Sequence, residues 1–148
     1  MIIDPRYSIG IPEMDAQHAR WIHLIEEFRK VGADHLLDAS GFAAAETALE
    51  QLLEYTRSHF DSEEKFMAAY HYPKLEQHRQ QHRALEAKVV ALLDEIRAHG
   101  IARTPLKLNL LVTIWLLEHI LDEDDDYARF ILGKPPTVRT AERARQGS

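Results

Sequence analysis

The sequence predicts an all-α protein, an up-down-up-down four-helix bundle. Apolar residues recur at intervals of three and four along four long segments, which is the period of an amphipathic helix. The six glycines and six prolines lie almost entirely between these segments, and no segment alternates as a strand does. Because connections of a few residues force neighbouring helices to run antiparallel, four such segments predict a bundle.

The first two helices are expected over residues 12 to about 36 and about 42 to 69. The first opens with a proline, and acidic residues follow it where the helix dipole favours negative charge. Its apolar stripe contains His18. The inward face of the second helix contains His59 and Glu63, so titratable groups lie inside both buried faces.

The third and fourth helices are expected over residues 73 to 99 and about 104 to 132. A glycine after the third is typical of a helix C-terminus, and the threonine–proline pair before the fourth is typical of a helix start. His78 and His82 replace apolar residues on one face of the third helix, and His119 lies in the stripe of the fourth. Every helix thus contributes at least one inward histidine.

Residues 1–132 are therefore predicted to form one domain, and residues 133–148 a short basic tail that we expect to be flexible. The tail has four basic residues against one acidic residue, whereas the whole chain has a formal charge of −6. Docking onto the acidic body and a linker remnant are the alternatives to a frayed terminus.

Composition excludes several classes of function. The chain has no cysteine, which excludes disulfides, thiolate metal sites and cysteine nucleophiles. An isoelectric point near 5.8 provides no basic surface for nucleic acid. The amino terminus lacks the pattern of a secretory signal, and Thr113 interrupts the longest apolar run. We expect a cytoplasmic monomer without nucleic-acid or membrane partners.

The inward histidines indicate a metal site. One histidine in an apolar stripe is usually a core residue whose N–H bonds to a carbonyl. Several buried imidazoles and a carboxylate without partners would cost several kcal/mol for each group, out of a typical stability of about 5–15 kcal/mol. A metal ion would turn that cost into binding energy. The inward candidates are His18, His59, Glu63, His78, His82 and His119.

The spacing of these candidates supports a shared site but not zinc hydrolysis. His59 and Glu63 are four residues apart, as are His78 and His82, so each pair shares a helix face. The zinc-protease motif fails, because Arg79 stands where that motif needs its glutamate general base.

The candidates lie within longer stretches that occur in one order: residues 8–11 with 14–18, residues 59–64, residues 72–73 with 78–82, and residues 115–120 followed by Asp124 and Tyr127. Together these stretches resemble the hemerythrin family in its bacterial single-domain form, bacteriohemerythrin. The resemblance covers about residues 1–132 and implies a hemerythrin-like bundle.

The resemblance also implies a cofactor: two non-heme iron ions bridged by an oxo or hydroxo group and two carboxylates. Matched residue by residue, the resemblance assigns His78, His82 and His119 to one iron and His18 and His59 to the other. Glu63 and Asp124 would bind both irons. The first iron would then have six ligands and the second five. The one open position would accept a small ligand.

The function that the resemblance implies is reversible dioxygen binding, for transport, storage or sensing, without an enzymatic reaction. Five imidazoles against two carboxylates make a less anionic ligand set than that of carboxylate-rich di-iron sites, which disfavours high oxidation states. A di-iron peroxidase or nitric-oxide-handling enzyme that uses the same open position is the alternative. An interaction module whose ligand state is read by a partner is a third possibility.

Helix geometry alone does not identify the residue that provides the second bridging carboxylate. His119 and Asp124 are five positions apart, about 500° of rotation, so Asp124 would point about 140° away from His119 in a regular helix. Regular geometry favours Glu123, whereas the resemblance selects Asp124, and Asp122 is another substitute. A π-type turn, common at functional sites, would bring Asp124 into line.

Bulky residues near the ligand positions are candidate walls of the ligand pocket, although ordinary core packing also explains them. These residues are Leu116, Trp115, Ile22 and Trp21. Dry walls would slow oxidation of the site. The remaining histidines, which are expected at the surface, are His23, His35, His71 and His99.

Overall fold

The computed structural model describes residues 2–34, 39–99 and 106–137, and within these ranges it contains no strand. The long helices are α1 (Pro12–Asp34), α2 (Ala39–Ala69), α3 (Leu75–His99) and α4 (Leu106–His119). A π-helical turn (Ile120–Asp124) joins α4 to the short α5 (Asp125–Leu132), and a 3-10 turn (Pro5–Tyr7) precedes α1. The all-α prediction is confirmed.

The long helices form a closed antiparallel bundle. Each packs against the next, and α4 packs against α1. On α3, Arg97 bonds to Glu46 near the start of α2, whereas Arg79 bonds to Glu64 near its end, so these two helices run in opposite directions. Contacts between α1 and α2 and between α3 and α4 show the same reversed order. The up-down-up-down prediction is confirmed.

Apolar side chains from the long helices fill the bundle, and the largest that are fully buried include Trp21, Phe28, Leu92 and Leu116. Burying a side chain of this kind contributes about 1.5–3 kcal/mol. The apolar faces therefore account for the packing of the helices against one another. None of the helices within the described ranges is both long and apolar enough to cross a membrane.

The turn between α2 and α3 delays the start of α3. His71 adopts the left-handed conformation (φ 56°), and its N–H bonds to the carbonyl of Ala68 at 3.1 Å. The N–H of Tyr72 bonds to the carbonyl of Met67 at 3.0 Å, which completes a helix-ending motif that glycine usually provides. Helix α3 therefore begins at Leu75 and not at the predicted residue 73.

The predicted fourth helix is interrupted by the π turn, and it ends at Leu132 as expected. Gly133 (φ 69°) closes α5, and Arg129 bonds to the carbonyl of Pro135 in the first residues of the tail. Some expectations lie outside the described residues: the end of the first helix near residue 36, His35, the glycine at 100, the helix start at 104–105, and residues 138–148 of the tail.

Candidate metal centre

Seven buried side chains from the four long helices and the π turn converge inside the bundle. They form two overlapping groups, and within each group one ligand atom of every residue lies within 4.8 Å of the others. Glu63 and Asp124 belong to both groups. The three-histidine position adds His78, His82 and His119, and the two-histidine position adds His18 and His59.

At the three-histidine position, every ring presents Nε2 to a carboxylate. Oδ1 of Asp124 lies 3.0 Å from Nε2 of His78 and 3.0 Å from Nε2 of His119. Oε1 of Glu63 lies 3.2 Å from Nε2 of His82. Three imidazole nitrogens and two carboxylate oxygens thus surround one point.

At the two-histidine position, the same carboxylates meet two further rings. Oδ2 of Asp124 lies 3.0 Å from Nε2 of His18, and Oε2 of Glu63 lies 3.2 Å from the same nitrogen. Nε2 of His59 lies 3.4 Å from Oε1 of Glu63. Asp124 therefore turns one oxygen towards each position, an arrangement that suits a carboxylate shared by two ions.

The arrangement of these donor atoms suits coordination of metal ions better than hydrogen bonding among the side chains themselves. Buried polar atoms normally have hydrogen-bond partners, and an unsatisfied one costs about 1–3 kcal/mol. Ligand atoms about 2.1 Å from one ion and at right angles lie about 3.0 Å apart, which is close to the separations seen here. Among the described residues, the inward atoms without a hydrogen-bond partner are Nε2 of His59, His78, His82 and His119, Oε1 of Glu63, and both oxygens of Asp124.

The π turn brings Asp124 to the cluster. One extra residue in the turn changes the rotation between His119 and Asp124, so that Oδ1 of Asp124 faces Nε2 of His119. Glu123 instead lies 3.6 Å from Nδ1 of the same ring, on the side away from the cluster. Asp122 is buried but belongs to neither group.

Hydrogen bonds to the outward ring nitrogens fix the orientation of two histidines. Nδ1 of His59 lies 2.8 Å from the amide oxygen of Gln17, whose amide nitrogen donates to Ser62. Nδ1 of His82 lies 3.0 Å from Oε2 of Glu64. Such partners hold Nδ1 protonated and leave the Nε2 lone pair free for a metal.

The pKa values of the clustered side chains show how strongly the two carboxylates act on the histidines. Burial lowers the pKa of His59 to about 4. Burial also opposes the charge on His18, but the close carboxylates of Asp124 and Glu63 outweigh it and raise the pKa of His18 to about 10. Burial would raise the pKa of each carboxyl, but the histidines outweigh it and hold both pKa values below the ordinary range. Both carboxylates are therefore ionised and available as anionic ligands.

Trp21 borders the two-histidine position. Its side chain is fully buried and donates a 2.8 Å hydrogen bond to Thr56. Its ring centroid lies 5.1 Å from that of His59 and 6.2 Å from that of His18. A bulky ring locked by a hydrogen bond is suited to exclude water from this side of the cluster.

The other three candidate wall residues differ in burial. Leu116 is buried in the core, and Ile22 is half-buried against it. Trp115 lies half-buried in a surface groove of about 200 Å³, with Nζ of Lys88 4.1 Å from its ring centroid. His119 lines the same groove, so Trp115 and His119 share one surface groove.

Histidines outside the cluster are exposed where the structure describes them: His23, His71 and His99. Sequence reasoning does not find the supporting contacts of Gln17 and Glu64. Gln17 precedes His18 and Glu64 follows Glu63 in the chain, and this adjacency to ligand candidates is the sequence feature that could have indicated them.

Comparisons with known proteins show which family this chain resembles. Residues 9–131 match the family model described as the hemerythrin HHE cation-binding domain. A bacteriohemerythrin of Stenotrophomonas maltophilia (strain R551-3) is 28% identical over 82% of this chain and 74% of its own length. One of Pseudomonas aeruginosa (strain LESB58) is 30% identical over 81% of this chain and 74% of its own, and one of Clostridium acetobutylicum is 27% identical over 82% and 93%.

No solved structure matches the chain significantly. The family match spans the bundle and every residue of both ligand groups, and the resemblance read from the sequence is thereby confirmed. This chain belongs to the hemerythrin family.

Proposed function

We propose that this protein binds dioxygen reversibly at a non-heme di-iron centre. The observation that carries the proposal is the pair of overlapping ligand groups that share two buried carboxylates. Shared carboxylates suit two ions close together, and nitrogen and oxygen donors without thiolate suit iron. The proposed activity is binding, for transport, storage or sensing, and not an enzymatic reaction.

The proposed ligand set gives the two irons different numbers of protein ligands. With a bridging oxo or hydroxo group, the three-histidine position would be complete at six ligands, whereas the two-histidine position would have five. A ferrous pair bound by these residues would supply the two electrons that dioxygen takes up. The ligands are His78, His82 and His119 for one iron, His18 and His59 for the other, and Glu63 and Asp124 for both.

The residues around the two-histidine position support reversible binding over turnover. Trp21 is buried there with its N–H bonded to Thr56, so its indole offers no free proton donor to this position. Tyr127 is the one phenol bonded to the cluster carboxylates within the described residues, and its pKa is raised well above the ordinary value, first by burial. A ligand in this setting is shielded from bulk water and from easily released protons.

An optical titration from anaerobic to aerobic conditions, with iron quantified on the same sample, tests the proposal. We expect about two irons per chain and a visible band that appears with oxygen and bleaches when oxygen is removed. A protein that stays iron-free after growth with ample iron contradicts it. Sustained turnover of hydrogen peroxide with a reductant would favour the di-iron peroxidase instead.

A further inference from the structure

The outward ring nitrogens of the site histidines have partners of unequal charge at the two metal positions. At the three-histidine position, Nδ1 of His82 lies 3.0 Å from a carboxylate oxygen of Glu64. At the two-histidine position, Nδ1 of His59 lies 2.8 Å from the neutral amide oxygen of Gln17. An anionic acceptor raises the basicity of an imidazole ligand more than a neutral acceptor does.

We infer that Glu64 and Gln17 are positioning residues that make the two metal positions unequal, so that the three-histidine position fills first and the two-histidine position holds its ion more weakly. The inference rests on the ligand assignment of the proposed function. It goes further than that assignment, which gives ligand numbers but no order of affinity.

Several contacts hold His82 in place for this role. Phe60 stacks on its ring with 3.7 Å between centroids and an interplanar angle of 3°. Nε of Arg79 bonds to the other oxygen of Glu64 at 3.2 Å, which leaves Oε2 for the histidine. The Arg79 side chain is 36% exposed against 19% for Glu64, so solvent screens the guanidinium more than the carboxylate. The negative charge therefore acts on His82.

A second carboxylate lies at the same metal position. Oε2 of Glu123 is 3.6 Å from Nδ1 of His119, beyond hydrogen-bond range but within ion-pair range. Two of the three rings at this position thus have an anionic group beside their outward nitrogen. Both groups favour a cation at the opposite nitrogen.

The two-histidine position lacks this support. The Gln17 amide is fixed with its oxygen towards His59, because its nitrogen donates to Ser62 at 2.9 Å. Nδ1 of His18 has no hydrogen-bond partner among the described residues. Tyr127 donates to Oε2 of Glu63, the oxygen that faces His18, and so takes up part of the lone-pair capacity of the carboxylate oxygen nearest His18. All three features weaken the same position.

The position with the weaker metal affinity is also the one that has the open coordination site in the proposed function. A protein loaded with one iron per chain would therefore have the three-histidine position filled and would not bind dioxygen. Oxygen binding should appear only as the second iron enters. The contact at Gln17 thus sets the metal concentration at which the protein becomes functional.

Anaerobic titration of the metal-free full-length chain with Fe(II), followed by calorimetry, tests the inference. We expect two resolved steps for the original chain. Glu64→Gln should weaken the first step about 10–100-fold and leave the second within about threefold. Gln17→Glu should strengthen the second step by about tenfold or less. Glu76→Gln is the matched control, since Glu76 also bonds to Arg79 but does not contact His82.

The outcomes separate this inference from the proposed function. Two irons that bind in a single step of equal affinity, or a Glu64→Gln variant that weakens both steps equally, overturn the unequal positions and leave the di-iron centre intact. A chain that binds no Fe(II) overturns both. Circular dichroism of each metal-free variant checks that the bundle is intact, and the two resolved steps of the original chain test the inference without any variant.

Discussion

Tyr127 donates a 2.7 Å hydrogen bond to Oε2 of Glu63, and both side chains are completely buried. Burial is the main cause that raises the pKa of Tyr127 well above its ordinary value, so the phenol stays neutral and remains a donor. A hydrogen bond to a charged group typically contributes about 1.5–3 kcal/mol. Tyr127→Phe should therefore lower the unfolding free energy of the metal-free protein by about that amount, measured by urea denaturation.

Tyr70→Phe is the control for this substitution, because the Tyr70 side chain is exposed and lies outside the cluster. It should leave the urea midpoint unchanged. Equal effects of the two substitutions would show that the bond to Glu63 contributes nothing to stability.

Metal removal should destabilise the bundle. The metal-free cluster keeps unpartnered inward atoms on four histidines and both carboxylates, each of which costs about 1–3 kcal/mol. A ligand that binds only the folded chain stabilises it by about 2.7 kcal/mol at 100 times its dissociation constant. We expect thermal unfolding of the chelated protein to shift upward when Fe(II) is restored anaerobically. An unchanged melting temperature would mean that no ion binds at the cluster.

Asp124 and Glu123 should differ in their effect on iron content. Asp124 offers an oxygen to each position, and an amide can supply only one, so Asp124→Asn should leave one iron or fewer per chain. Glu123 approaches the outward nitrogen of His119 and belongs to neither ligand group, so Glu123→Gln should keep both irons at reduced affinity. Iron analysis of the purified variants measures this. The reverse result would make Glu123 the bridging residue.

Helical periodicity predicts the bundle because each apolar stripe must be covered by a neighbouring helix. The turn at His71 could not be predicted, since a residue other than glycine in the left-handed conformation depends on backbone hydrogen bonds made after folding. Residues 122–126 pose the same difficulty at the site. Spacing alone favours Glu123, and only the family resemblance favours Asp124, because the extra residue of a π turn leaves no mark in the apolar pattern.

The contacts that support the ligand histidines are harder to predict from the sequence. Gln17 and His59 are 42 residues apart, and Glu64 and His82 are 18 apart. No periodicity encodes either pair, because each contact depends on the register between antiparallel helices. The inward histidines are easier to predict, since a polar residue inside an apolar stripe is visible within one helix.

His119→Ala should remove one iron and the oxygen-dependent visible band. Its Nε2 lies 3.0 Å from Asp124 at the three-histidine position, and alanine offers no donor there. His23→Ala is the control, because His23 is exposed and belongs to neither group. It should keep both irons and the band. Loss of iron from both variants alike would place the iron elsewhere.

Leu116→Ala should both destabilise the protein and shorten the life of its oxygenated form. Leu116 is 1% exposed, and truncating a buried leucine typically costs about 2–5 kcal/mol because part of the cavity persists. Leu116 lies one helical turn before His119, so a cavity there would also admit water towards the proposed site. Leu110→Ala on the same helix is the matched control, since Leu110 is 43% exposed. Urea denaturation and the decay of the visible band in air measure the two effects. A stability loss without faster decay would make Leu116 a core residue with no part in the pocket.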